Sequence, residues 1–177
     1  MRWPKRSIAC ALSSPDATGD TGPAMFDDLR DLYQETILDH GRHPRHAHRL
    51  EAFDATARGD NPMCGDRVQV WVKRGPGDTI SDVGFEARGC AICVASADLM
   101  AETLPGRTVA EFGDLFDAFR GMVTTGKRPA DGAREEDMER LEPLSGVHEF
   151  PSRVKCATLA WHAAAAALAG SGEASSE

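Results

Sequence analysis

Between Val68 and Ala87 the sequence spells a β-hairpin, and a cysteine stands just beyond each end of it. Val68, Val70 and Val72 alternate with polar residues and Trp71 in the two-residue period of a strand. Gly75-Pro76-Gly77-Asp78 is a reverse-turn sequence, and Ile80 to Ala87 reads as the returning strand. Pairing these strands brings Cys64-Gly65-Asp66, at the start of the first, to the same end of the sheet as Cys90, just past the end of the second. A further motif, Arg153-Val154-Lys155-Cys156-Ala157, delivers another cysteine from far along the chain. Three thiolates and one carboxylate from separate segments make a complete tetrahedral set for zinc, or a cysteine-rich seat for an iron–sulfur cluster.

The rest of the ordered chain reads as helices. Phe26, Leu29, Leu32, Tyr33, Thr36 and Ile37 recur at helical spacing as far as Gly41, after which His43-Pro44-Arg45 turns the chain. A second helix runs from Ile92 to Leu104, beginning directly after Cys90 and broken by Pro105-Gly106. A third, Val109 to Val123, has Thr108 as its N-cap. Glu135 to Leu141 is a short charged helix, and Pro151 precedes an Ala-rich helix from about Arg153 to Ala169. The expected fold class is α+β, a small mainly antiparallel sheet covered on one face by helices. At 177 residues the chain suits one well-buried domain, expected over residues 25–169. Residues 1–24 mix Ser, Pro, Gly, Thr and Asp without periodicity and read as a disordered extension, with Met25 an alternative start. Residues 170–177 read as a disordered tail.

Composition excludes several classes. A net charge of -8 argues against nucleic acid as a partner, because phosphate binding needs clustered Lys and Arg. No segment approaches the roughly 20 apolar residues that cross a membrane, and Ile8 to Leu12 is too short for a signal-peptide core. A cytoplasmic location follows as the expectation, and in a reducing compartment spaced cysteines bind metal or react rather than form bridges.

One isolated cysteine is most simply a core residue; three, each beside a glycine, a turn or a helix start, are not. Cys90 at a helix N-terminus and Cys156 in the first turn of the last helix would both gain thiolate character from the helix dipole. Cys64, in a sharp Pro-x-Cys-Gly-Asp turn, is exposed enough to react, and Gly65 and Gly89 let the backbone approach a metal. Asp66 is a harder, weaker ligand than a thiolate, which leaves the site more easily opened. Cys93 lies one turn after Cys90 and shares its face. It reads as a buried helix thiol, with a spare sulfur ligand as the alternative. Cys10 falls in the extension and receives no role. His40, His43, His46 and His48 read as a solvated polar turn, His148 and His162 as surface or helix-face residues, and Glu135, Glu136, Asp137 and Glu139 as a solvated face.

Taken together, Tyr33-x-x-x-Ile37-x-Asp39-His40, Asn61-Pro62-x-Cys64-Gly65-Asp66, Gly89-Cys90-x-Ile92 with Ala95-Ser96-Ala97, and Lys155-Cys156-Ala157-Thr158-Leu159-x-Trp161 resemble the IscU/NifU-like iron–sulfur assembly proteins, and among them the SufU branch. Scaffold-type IscU proteins carry His before the third cysteine where this chain has Lys155, and the stretch from Val123 to Pro151 resembles the insertion of the SufU type. The resemblance implies a SufE/NifU-like, IscU-like fold and a zinc-dependent sulfurtransferase. It implies that Cys64, Asp66, Cys90 and Cys156 hold zinc and that Cys64 accepts sulfur from a PLP-dependent cysteine desulfurase of the SufS type, for delivery to a downstream SUF scaffold. By the same resemblance Arg153 meets the desulfurase. Cys93 departs from the family, which typically has Ser there, and could divert sulfur or add a ligand. Two other functions stay open: a scaffold that builds and releases a transient [2Fe–2S] cluster, which a weak Asp66 ligand also suits, and a structural zinc module that only binds protein. Lys155 argues against the first of these, and the exposed Cys64 turn against the second.

Overall fold

The computed structural model describes residues 23–130 and 134–175. The expected disordered extension therefore lies outside the described residues up to position 22; α1 (Pro23–Arg42) begins two residues before Met25. The sheet comprises β1 (Ala55–Asn61), β2 (Asp66–Arg74), β3 (Ile80–Arg88) and β4 (Glu173–Ser175), in the order β3-β2-β1-β4. The helices are α2 (Ala91–Thr103), α3 (Val109–Thr125), α4 (Glu135–Leu141) and α5 (Pro151–Ala169), with a 3-10 segment over Glu142–Glu149 between the last two. The class is α+β, as the patterning indicates.

β2 and β3 pair antiparallel as expected, Val68 facing Ala87, Val70 facing Phe85 and Val72 facing Val83. What the patterning does not reveal is β1, whose sequence Ala-Thr-Ala-Arg-Gly-Asp-Asn is poor in strand formers. It is a strand because β2 offers it a complete ladder, from Ala55 opposite Val72 to Asn61 opposite Asp66. Gly59 makes room there: a Cβ would come within 3.1 Å of both Leu159 and Val68, which would have to give way. The tail is a second difference. Glu173–Ser175, expected to be disordered, adds to β1 in parallel, because Gly170 and Gly172 take left-handed conformations that bring the chain back beside it.

Side chains alternate across a strand, so one face of the sheet collects Ala57, Val68, Val70, Val72, Val83 and Phe85, all buried. α5 packs over β1, β2 and β4, and α2 over β3. Helix α3 closes the layer. Trp161 of α5, wholly buried, stacks on Phe119 at 4.5 Å and on Phe116 at 5.8 Å, and its indole N–H donates to Ser96. The Thr108 cap of α3 is a complete capping box with Glu111. Asp137, expected on a solvated face, is instead buried and grips Arg107 through two bonds of 2.7 and 2.8 Å, tying α4 to the turn before α3.

Candidate metal centre

The alternation that buries Val68, Val70 and Val72 also turns Asp66 inward, two residues earlier on β2 and at the rim of the same face. Its neighbours at that rim are Asn61, directly opposite on β1, and Gly89, two residues past Ala87. Gly89 is glycine for want of room: a Cβ would stand 2.5 Å from Asp66 Oδ1 and 2.8 Å from its Cγ. The Asp66 carboxylate thus sits in a slot cut into the neighbouring chain, only 2% exposed.

Four residues, Pro62 to Gly65, link β1 to β2 and carry Cys64 out at the tip. Asn61 shapes this loop. Its side-chain oxygen accepts from Met63 N–H at 3.2 Å and its carbonyl from Gly65 N–H at 2.8 Å, while Gly65 takes φ +72°. Cys64 is exposed, and Met63 beside it is 79% exposed. Cys90 is the N-cap of α2, half-buried, as its position after β3 predicts. Its backbone N–H donates to Asp66 Oδ1 at 3.1 Å, and its Sγ lies 3.8 Å from Oδ2.

Cys156 comes from α5 and is fully buried. Its Sγ lies 3.5 Å from that of Cys64 and 3.9 Å from the Asn61 amide. The sequence places it in the first helical turn, but Pro151 starts α5 earlier, so Cys156 falls in the second turn, where the dipole has faded. Burial, then hydrogen bonding with Asp66 and Cys64, pushes its pKa up rather than down. Arg153, exposed one turn earlier, has its pKa raised by hydrogen bonding to Cys156 and by the nearby Cys90 and Cys64. Cys93 is wholly buried in the core, and burial raises its pKa strongly.

Ligand atoms of Cys64, Asp66 and Cys156 all lie within 4.8 Å of one another, a group that could hold a metal ion, with Cys90 against the Asp66 side. The fit can be tested on charge. Three carboxylates are buried among the described residues, Asp66, Asp98 and Asp137. Asp137 has Arg107, and Asp98 has His40 at 2.7 Å, His46 at 3.3 Å and Arg45 at 3.9 Å. Asp66 has no cationic side chain within 4 Å among the described residues, although burying an uncompensated carboxylate is costly. A bound cation would supply the positive charge that the described side chains do not.

The Asp98 cluster corrects the reading of His40 and His46 as part of a solvated turn, while His43 and His48 are exposed as that reading expects. Asp98 of α2 accepts from the backbone N–H groups of Arg45 and His46, at 2.8 Å each, so His40 and His46 close around a buried carboxylate. No sequence pattern marks this, because Asp98 lies more than 50 residues from its partners. Asn61 is the other residue missed as a site element; its place before Pro62 was the available signal.

The NifU-like N terminal domain family matches residues 32–157. The chain is 36% identical over 135 residues to a protein of Streptococcus pyogenes serotype M1 named iron-sulfur cluster assembly scaffold protein IscU, covering 76% of this chain and 81% of that one. It is equally identical, over 135 residues and 88% of the relative, to the zinc-dependent sulfurtransferase SufU of Bacillus subtilis. Among solved structures it resembles a candidate scaffold protein for the SUF system from Fervidobacterium islandicum AW-1, at TM-score 0.67 and 30% identity, covering 78% of this chain and 98% of that one. The chain belongs to the NifU-like N-terminal domain family, with the IscU/SufU-like fold.

Proposed function

We propose that this member of the family is an iron–sulfur cluster assembly protein that works as a zinc-dependent sulfurtransferase, taking persulfide sulfur onto Cys64 from a cysteine desulfurase. The observation that supports it best is the asymmetry of the thiols. Cys64 is exposed at a loop tip while its neighbour Cys156, 3.5 Å away, and Asp66 are buried. A structural site is closed by its four protein ligands, whereas a reactive site keeps a position that a partner can open, and an exposed Cys64 suits the second.

Cys64, Asp66, Cys90 and Cys156 would be the zinc ligands. Zinc there supplies positive charge that favours thiolates and brings no redox chemistry of its own. The remaining steps belong to the chain. Cys64 on its loop reaches outward, and its thiolate attacks the outer sulfur of the partner's persulfide. A new S–S bond forms on Cys64, the partner's S–S bond breaks, and the partner cysteine leaves as thiolate. Arg153, exposed beside the sulfurs, offers a guanidinium to the anionic persulfide and to the partner. Exposed Met63, beside Cys64, and exposed Phe150, at the start of α5, 79% and 54%, are apolar surface for a docking protein. The partner would be a PLP-dependent desulfurase of the SufS type, the receiver a SUF scaffold, and the compartment the reducing cytoplasm. No helix among the described residues is long and apolar enough to cross a membrane.

The test has two arms. Aerobically purified protein should hold about one zinc, and Cys156→Ser should lose it; full retention would show the ligand set to be wrong. Adding the protein to its desulfurase should raise turnover of cysteine to alanine, and Cys64→Ala should abolish the gain. A fully active Cys64 variant would remove Cys64 from the reaction.

A scaffold for a transient [2Fe–2S] cluster is the second reading. Asp66 favours it, since an oxygen ligand makes a cluster labile, and relatives named IscU carry the scaffold description. Asp66→Ala separates the two. A transferase should lose zinc and activation together, whereas a scaffold should keep a reconstituted cluster longer, seen as persistent visible absorbance.

A further inference from the structure

Among the described cysteines, Cys93 is the one that the candidate metal centre leaves out. Its position relative to Cys90 is specific. Cys90 is the N-cap of α2, its carbonyl accepting from Val94 N–H at 3.1 Å, which makes Cys93 the N3 residue. Residues three apart on a helix are neighbours on one face, about 5–6 Å between Cβ atoms, and Cys90 adds to the burial that raises the Cys93 pKa. The four thiols therefore divide into Cys90 and Cys93, three residues apart on the first turn of α2, and Cys64 with Cys156, whose sulfurs lie 3.5 Å apart.

We propose that the centre has a reversible oxidised form with two disulfides, Cys90–Cys93 and Cys64–Cys156, in which Cys93 is the resolving thiol for Cys90. The oxidant is a hydroperoxide. The Cys90 thiolate attacks it, an S–O bond forms, the O–O bond breaks and hydroxide leaves. Cys93 sulfur then attacks the Cys90 sulfenic acid, an S–S bond forms, the S–O bond breaks, and hydroxide departs with the Cys93 proton as water. Two thiols lose two electrons and the peroxide gains them. The same steps join Cys64, the exposed member, to Cys156. Burial suits Cys93 to this role. It is wholly shielded, with no hydrogen-bond partner among the described residues, so an external oxidant reaches Cys90 first and only the adjacent sulfur reaches Cys93. A chain with serine at position 93 would leave Cys90 unpaired, free to climb to sulfinic acid, which thiol reductants do not reverse. The accompanying loss of metal rests on the metal-centre reading above; the disulfides do not.

The full chain and Cys93→Ser, each as purified and after chelation, are treated with a slight excess of hydrogen peroxide, alkylated, cleaved with trypsin and mapped by mass spectrometry. Cys90 and Cys93 fall in one tryptic peptide, Gly89 to Arg107, so their bridge appears as the loss of two hydrogens with neither thiol alkylated. The expected result is that bridge in the wild type, undone by dithiothreitol, and in Cys93→Ser an irreversible sulfinic or sulfonic acid at Cys90. Alkylated Cys93 in oxidised wild type, or Cys90 bridged to Cys64 or Cys156, overturns the proposal. Metal is read separately with a zinc-sensitive dye. Bridges in a chain that never held metal would sink the metal-centre reading and leave the proposal standing.

Discussion

Cys156 and Trp161 stand five residues apart on α5, both without exposed surface, and their surroundings are built differently. Around Trp161 the polar atoms find short partners: the indole N–H reaches Ser96 at 3.2 Å, and the Ser96 hydroxyl reaches the Ala157 carbonyl at 2.5 Å. Three phenylalanine rings stack on it. Around Cys156 the partners stand at long sulfur distances, 3.5 to 3.9 Å, beside a buried carboxylate that has no cationic side chain within 4 Å among the described residues. The aromatic region is complete as it stands and needs only to be dry. The thiol region is left incomplete by the chain itself, and a cation would complete it. One helix can serve both because its faces belong to different neighbours, α3 on one side and the β1–β2 loop on the other.

Trp161→Ala probes the complete region. Removing a fully buried indole should cost about 3–5 kcal/mol, a large part of the roughly 5–15 kcal/mol that holds a domain. Urea unfolding should show the same loss with metal present and after chelation. A loss seen only in metal-loaded protein would break the comparison, because it would make the aromatic stack part of the centre.

Gly89→Ala probes the incomplete region. The new methyl must displace Asp66, and the displacement is not a matter of a flexible tip, since even Asp66 Cβ lies at 3.0 Å. Chelated protein should lose about 1–3 kcal/mol from overpacking. Metal-loaded protein should lose more, because metal affinity is coupled to folding, and zinc content should fall. Unchanged zinc content, measured by atomic absorption, would remove Asp66 from the ligand set.

The two regions also differ in how far the sequence reveals them. Cys64, Asp66 and Cys90 converge because strand period and turn chemistry are local signals, and the β2–β3 hairpin follows from them alone. The slot at Gly89 is not local: its reason is a side chain on the neighbouring strand. β1 escapes the patterning because its glycine and short side chains answer to Leu159 above it rather than to strand propensity. The turn that carries Cys156 is misplaced by one because Pro151 reads equally well before a helix or at its first position. Asp98 escapes entirely, since a carboxylate amid Ala, Ser and Leu on a helix gives no hint of the two histidines that close on it.

The smallest expected effect lies at the rim of the complete region. His162 is half-buried, edge-on to Phe116 at 4.9 Å and 84°, and burial, then Arg120, lowers its pKa. The folded chain therefore takes up this proton less readily than the unfolded chain, whose imidazole titrates near 6.5. The sign follows: the stability is fully present above about pH 6.5 and is lost as pH falls through the depressed folded value. His162→Gln keeps a polar side chain and removes the titration, so its stability should fall less steeply on acidification than the wild type's. Both should be measured by thermal unfolding of chelated protein, so that protons competing for the thiols do not enter. Parallel slopes would mean that His162 titrates freely. The Phe116–Trp161 stack would then end in solvent on that side, and the dry region would be smaller than its ring distances imply.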